Sequence, residues 1–263
     1  MILPTAEIVC LGNELLIGIT VNTNATFVGE QLTKLGYEVR RVTSIRDDLD
    51  LAVDFFLELF ERNPKLVIIS GGLGPTYDDI QLEVVSKATG LELQESIEAL
   101  EQIKVYYKKK NLQLTKERRK MSLLPVGSKV LANSVGGAPG CHFLFKNIEF
   151  FCLPGVPTEM KDIFLTHILP YLKKKNNHQL FEKKFQVLNC AESELAPYIN
   201  EVKQNFPDLY IKSHPAYEGK VGIVIHVSCH GKSAEEDVNN AIISLKDYFK
   251  NNLTDCKIVI IEE

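Results

Sequence analysis

Two adjacent acids, Asp78 and Asp79, follow a turn built from Gly71, Gly72, Gly74, Pro75 and Thr76 in the stretch LVIISGGLGPTYDDIQLEVV, residues 66–85. Glycine there carries a high chain-entropy cost and neighbouring carboxylates repel, so the combination asks for a compensating ligand. Bare main-chain N–H groups at a strand-to-helix junction bind anions such as phosphate. Carboxylates bind a hard divalent cation, Mg2+ or a similar ion, which neutralises phosphate oxygens. The competing reading is capping: both acids in the first helical turn, opposing the helix dipole for about 1 kcal/mol each. No Gly-Lys-Ser/Thr follows and the spacing is not G-x-G-x-x-G, which argues against a P-loop kinase or a dinucleotide-binding dehydrogenase.

Two further junctions point to the same place. VCLGNELLIGITVNTN sets Gly12, Asn13 and Glu14 after an apolar run, then Asn22, Thr23 and Asn24 before a helix. FFCLPGVPTEM offers Pro154, Gly155 and Glu159. Each has a local explanation: Thr23 or Asn24 as a helix cap, Pro-Gly as a turn, Glu159 as a dipole partner. Together they converge on the C-terminal edge of one sheet, where α/β proteins place ligands. His142, His214, His226 and His230 are too dispersed for a metal site. Cys141 and His142, as strand neighbours, point to opposite faces.

The elements that must position these residues alternate. EIVCLG, YEVRRVTSI and KLVIIS are strands; NATFVGEQLTKLG, DLDLAVDFFLELFER and DDIQLEVVSKATG are amphipathic helices, the last two stopped by Asn63-Pro64 and Gly90. ESIEALEQIKVYYKKK is a further helix and TKERRKMSLL a short one ending before Pro125. HFLF and EFFCL pair across a KNI turn, and PTEMKDIFLTHILPYLKKK closes this half, with Pro170 expected to kink or shorten it. Beyond a linker-like KKKNNHQ, the order β-α-β-β-α-β predicts a smaller α+β, ferredoxin-like domain. The expected boundaries are residues 1–174 and 179–263.

At 263 residues, 45% hydrophobic and 24% charged, the chain is an ordinary globular protein, and a net charge of -4 gives no overall pull toward nucleic acid. The basic run KERRK reads as a solvated helix that could touch phosphates from outside the cleft. Of six cysteines without a C-x-x-C pair, most sit in apolar, strand-like runs and read as small hydrophobes, a usage suited to a reducing cytosol. No run approaches the roughly 20 apolar residues that span a bilayer, and the N-terminus lacks a basic leader, so a cytoplasmic place is expected.

GNELLIGITVNTN, SGGLGPTYDD, SLLPVGSKVLANSVGGAPG and LPGVPTEMKDI together resemble the CinA family, within the wider MogA/MoaB-type molybdopterin-binding fold. The likeness is dense from residue 6 to about 172 and continues weakly beyond. It implies a three-layer α/β/α sandwich and, in CinA-type proteins, metal-dependent hydrolysis of the diphosphate bond of ADP-ribose or a related dinucleotide such as FAD. In the molybdopterin relatives the same cleft handles and adenylates a pterin. A non-catalytic nucleotide-binding module is the third reading. Asp79 matches the acidic position serving metal and phosphate chemistry. Asn22 stands where many members have aspartate, which makes Glu14 and Asp78 the next metal and catalytic candidates. Asn13, Thr23 and Asn24 would position ribose or phosphate oxygens, while Gly137 and Pro139 of NSVGGAPG and the PGVP loop would wall the cleft. The family also suggests a homodimer. Full-length CinA proteins carry a further nicotinamide-nucleotide amidohydrolase domain, and the expectation here is no deamidase activity.

Overall fold

The computed structural model describes residues 2–176, 180–216, 222–231, 233–253 and 256–260, and divides into two compact units, residues 2–177 and 178–263. The larger unit opens with β1 (Thr5–Leu11), a short α1 (Asn13–Leu16), α2 (Thr23–Lys34), β2 (Glu38–Ile45), α3 (Leu49–Arg62) and β3 (Leu66–Ser70). It continues with α4 (Gln81–Thr89), β4 (Leu93–Glu95), α5 (Ile97–Lys109), α6 (Lys116–Lys120), β5 (Leu123–Pro125) and β6 (Lys129–Leu131). β7 (Gly140–Phe145), β8 (Ile148–Leu153), α7 (Pro157–Ile163), a π-helical turn (Phe164–Ile168) and α8 (Leu169–Lys175) complete it.

Six strands form one sheet in the order β2-β1-β3-β8-β7-β6. The first four are parallel and the last two antiparallel. Alternation along the strands splits the core into two layers. Ala6, Ile8, Cys10, Leu66 and Ile68 pack with Val28, Leu32, Met160 and Phe164 on one face. Val9, Leu11, Val67 and Ile69 pack with Phe56, Leu59, Val84 and Ile103 on the other. Both faces are covered by helices, which is the three-layer α/β/α sandwich.

Local chemistry sets the boundaries. Asp48 caps α3 by accepting from Leu51 N, and Asn63 closes it in the left-handed region at φ 48°. β7 and β8 are joined through Lys146 and Asn147, both at positive φ (48° and 64°), the two-residue turn whose twist suits a hairpin. Of the two effects expected of Pro170, a kink or a shortening, the helix shows no shortening. The π-helical turn at Phe164–Ile168 shifts the hydrogen-bond register just ahead of it, and the helix runs on to Lys175.

The smaller unit comprises β9 (Leu180–Leu188), α9 (Glu192–Asn205), β10 (Tyr210–Pro215), β11 (Ile223–His230), α10 (Ala234–Asn252) and β12 (Lys257–Ile260). Its antiparallel sheet has the order β10-β11-β9-β12, so each β-α-β pair is split by an inserted strand, as in ferredoxin-like domains. Phe185, Val187, Ile225 and Val227 pack against Leu195, Val202, Leu245 and Phe249. Cys190 and Cys256 form a disulfide with Cα atoms 5.6 Å apart, a pairing the scattered cysteine spacing did not suggest. Residues 177–179, at the expected linker, lie outside the described residues.

Candidate active site

β1, β2, β3 and β8 end at one edge of the parallel sheet, and a cleft of about 410 Å³ opens there. Buried polar side chains tie the three expected loops together beneath it. Asn24 Nδ2 donates to Ser70 Oγ (2.9 Å) and to Gly155 O (2.8 Å), and Ser70 Oγ donates to Pro154 O (3.2 Å). Gln81 Nε2 donates to Leu153 O (3.2 Å) and to Gly71 O. Gly71 sits at φ +101°, with a hypothetical Cβ 2.0 Å from Leu11 O, so only glycine lets β3 leave the sheet this close to β1.

Of the sequence candidates, Gly12, Glu14, Pro154, Gly155, Gly137 and Glu159 line the cleft. So do Gly71, Gly72, Gly74, Pro75, Thr76, Asp78 and Asp79. Thr23, Asn24 and Asn22 instead line a small side pocket of about 70 Å³ that shares Leu11, Glu14, Gly71 and Gly155 with the cleft. Asn13 contributes its main-chain N–H to Asp47 while its side chain is exposed, and Pro139 is a buried residue behind Ala138. Asn22, not Thr23 or Asn24, caps α2: its Oδ1 accepts from Ala25 N at 3.0 Å, and its Nδ2 donates to Ser44 Oγ at 3.3 Å. Asn24 Oδ1 is buried without a partner among the described residues, and Asn24 lines the small side pocket.

The capping reading of the acids does not hold. α4 begins at Gln81 with Ile80 at its cap and no side-chain cap bond, so Asp78 and Asp79 precede the helix. Both turn back on Thr76. Asp79 Oδ2 accepts from Thr76 N (2.8 Å) and Thr76 Oγ1 (2.6 Å), and Asp78 Oδ1 contacts the same hydroxyl. A hydroxyl has one proton, so it satisfies one of these carboxylates at a time. Lys120 does not neutralise them: its Nζ donates to the main-chain oxygens of Asp79 (2.7 Å) and Thr76 (3.3 Å). The amides of Gly72, Leu73 and Gly74 have no acceptor among the described residues.

Several residues of the cleft escaped the sequence reading. Asp47, just beyond β2, accepts from Asn13 N at 2.8 Å. Burial pushes its carboxyl up, the Asn13 N–H draws it down, and the charges of Glu14, Asp78 and Asp79 push it up again. The available signal was that β2 ends at the same edge as β1 and β3. On the opposite wall stand Tyr106, Tyr107 and Met121. Glu159, at the start of α7, is half-buried with its carboxyl raised by desolvation. Asn133 Nδ2, 2.6 Å from Glu159 Oε2, and Lys110 counter that rise.

The family described as "Probable molybdopterin binding domain" matches residues 7–174. The chain belongs to that family. A protein of Saccharolobus islandicus (strain L.S.2.15) is 41% identical over 242 residues, 92% of each chain, and one of Sulfolobus acidocaldarius is 40% identical over 246 residues, covering 92% and 93%. A crystal structure described as protein CinA of unknown function, from Thermoplasma acidophilum, is 40% identical with a TM-score of 0.59, over 64% of this chain and 98% of that one. The chain is thus CinA-like and carries the molybdopterin-binding type of domain. Among the described residues no helix is long and apolar enough to cross a membrane.

The donor set at the cleft is carboxylate oxygen, the set hard cations prefer. Among the described residues no three His, Cys, Asp or Glu side chains converge as a metal cage. A cation held by Asp78 and Asp79 would therefore complete its shell with ligand phosphate oxygens and water, which is how Mg2+ is commonly bound.

Proposed function

We propose that this chain is a metal-dependent hydrolase of nucleotide diphosphates, cleaving the diphosphate bond of ADP-ribose or a related dinucleotide such as FAD, as a homodimer in the cytoplasm. The observation carrying the reading is that the acids Glu14, Asp47, Asp78 and Asp79 and the residues Gly72 and Gly74, whose amides are unbonded among the described residues, line one cleft of nucleotide size. Amides attract a diphosphate and acids repel it. The two coexist stably when a cation lies between carboxylate and phosphate.

In this mechanism the amides of Gly72 and Gly74 donate to the phosphate oxygens and fix the diphosphate against the sheet edge. The start of α7 at Val156, which has no side-chain cap, adds a positive dipole end to the same wall. Thr76 holds the Asp79 carboxylate in place, and Lys120 holds the loop that carries both. A divalent ion bound by Asp79 and Asp78 would supply charge neutralisation and a more acidic water. Asn24 Oδ1 in the side pocket is the acceptor for a ribose hydroxyl.

The test is release of AMP from ADP-ribose or FAD with and without Mg2+ or Mn2+. Metal-dependent release that falls about 100-fold or more in Asp79→Asn, with the fold retained, supports the reading. No product from either dinucleotide at any metal concentration overturns it. The family's description favours a second reading, a pterin-binding or adenylating protein; it expects the isolated protein to retain a fluorescent pterin.

A further inference from the structure

One part of the cleft gathers Glu14, Asp47, Asp78 and Asp79, and another is aromatic with a single acid, Glu159, beside it. Tyr106 and Tyr107, successive residues on α5, stand edge to face with centroids 5.2 Å apart and an interplanar angle of 89°. Both line the cleft, and both are only partly buried. They differ in what holds them. Tyr107 packs onto the core layer of Phe56 and Val84, whereas Tyr106 belongs to neither core layer of the unit. Cations sit over both rings: Lys110 Nζ lies 4.6 Å from the Tyr106 centroid and the Arg118 guanidinium carbon 4.3 Å from that of Tyr107. The wall beside them is bare main chain. A Cβ on Gly137 would lie 3.1 Å from Tyr106 Cδ1 and Cε1 and from the Tyr107 hydroxyl, so no side chain stands between the NSVGGAPG loop and the rings.

We propose that Tyr106 is the stacking platform for the flat nitrogen-heterocyclic ring of the ligand, the base of a nucleotide, while the diphosphate lies at the acidic end. The assignment rests on the nucleotide-diphosphate reading and extends it by orienting the ligand in the cleft. Three features carry it. A tyrosine outside the core, opening into a ligand-sized cleft, offers a π-face at small conformational-entropy cost. At Gly137 the loop packs against the rings with bare main chain and brings no side chain of its own to cover them. Lys110 and Arg118, over the tyrosine rings, set two cations against the single carboxylate of Glu159 there, and a cationic, aromatic surface is the environment in which bases stack without regard to sequence. α6 ties the two ends together: Arg118 covers Tyr107, and Lys120, two residues on, holds the main chain of the acid loop. Tyr106 on this account is a specificity residue that leaves phosphate binding unchanged.

The experiment measures binding of AMP, ribose 5-phosphate and inorganic pyrophosphate to the full chain by titration calorimetry in Mg2+, for wild type, Tyr106→Phe and Tyr106→Ala. The wild type is expected to bind AMP more tightly than ribose 5-phosphate. Tyr106→Ala should lose roughly 5-fold to 100-fold in AMP affinity while pyrophosphate binding stays within about twofold, and Tyr106→Phe, which keeps the π-face, should retain AMP affinity. Equal binding of AMP and ribose 5-phosphate by the wild type overturns the proposal, as does a parallel loss of AMP and pyrophosphate in Tyr106→Ala. Because the readout is binding, a protein that discriminates AMP through Tyr106 yet hydrolyses no dinucleotide sinks the hydrolase reading alone.

Discussion

The carboxylate of Asp79 occupies the space that a side chain on Gly74 would need: a Cβ at Gly74 would lie 2.5 Å from Asp79 Oδ2. The relation recurs around the cleft, at 2.4 Å between Gly12 and Glu14 Oε1 and at 2.0 Å between Gly136 and the Glu159 carboxylate. Each of these carboxylates is laid against bare main chain. The glycines therefore shape where negative charge sits as well as where the backbone turns.

Gly74 is not at positive φ, so an alanine there meets the carboxylate and leaves the backbone unstrained. Gly74→Ala is expected to displace Asp79 from Thr76, lowering metal-dependent turnover about tenfold or more, with a stability change within about 1 kcal/mol. Steady-state kinetics and a thermal melt on the same preparation separate the two effects. A variant that unfolds outright contradicts this account of the glycine.

Much of this was legible in the sequence and some was not, for physical reasons. The strand ends at Leu11, Ser70 and Leu153 were readable because each apolar run breaks into glycine or proline, and the chain must then leave the sheet. The cap of α2 falls at Asn22 rather than at Thr23 or Asn24 because three consecutive residues, Asn-Thr-Asn, can each cap a helix, and only the neighbouring loops decide which one does. Asp47 was hidden by its neighbour Asp48, the true cap of α3, which made the pair look like a helix start. Tyr106 lies mid-helix, where its place at the cleft depends on how α5 meets the loop of Gly137, a contact between distant segments.

Lys120 acts on the acid loop through main-chain oxygens alone, at 2.7 Å from Asp79 O and 3.3 Å from Thr76 O. Lys120→Met keeps most of the aliphatic stem and removes the donors. Faster amide hydrogen exchange across residues 75–79 is expected, with turnover reduced roughly tenfold and the midpoint of unfolding little changed. Unaltered exchange in that segment would mean the loop holds itself through Thr76.

The disulfide between Cys190 and Cys256 spans 66 residues of the smaller unit, while Cys10, Cys141, Cys152 and Cys229 are free. Denatured without reductant, the protein should titrate four thiols per chain, and after reduction six. Closing a loop of that length stabilises by about 4 kcal/mol in the chain-entropy account, so reduction should lower the unfolding midpoint of this unit. Six thiols in the unreduced protein would show that the pair is not joined in solution.

Glu159 gives a pH signature whose sign follows from its burial. Its carboxyl is raised above the ordinary value of 4.5 chiefly by desolvation, against the pull of Asn133 and Lys110. The folded state thus binds this proton more tightly than the unfolded one does. The resulting stabilisation is full below the unfolded pKa and is lost as pH rises through the raised folded value, leaving a buried charge as a liability at neutral pH. Glu159→Gln keeps an oxygen that can accept from Asn133 and removes the charge. Its unfolding midpoint should exceed that of the wild type at pH 7, with the gap closing as pH falls toward about 4. A gap of constant size across that range would assign the effect to packing, and a variant less stable at pH 7 would show that the carboxylate is held by more than Asn133 and Lys110.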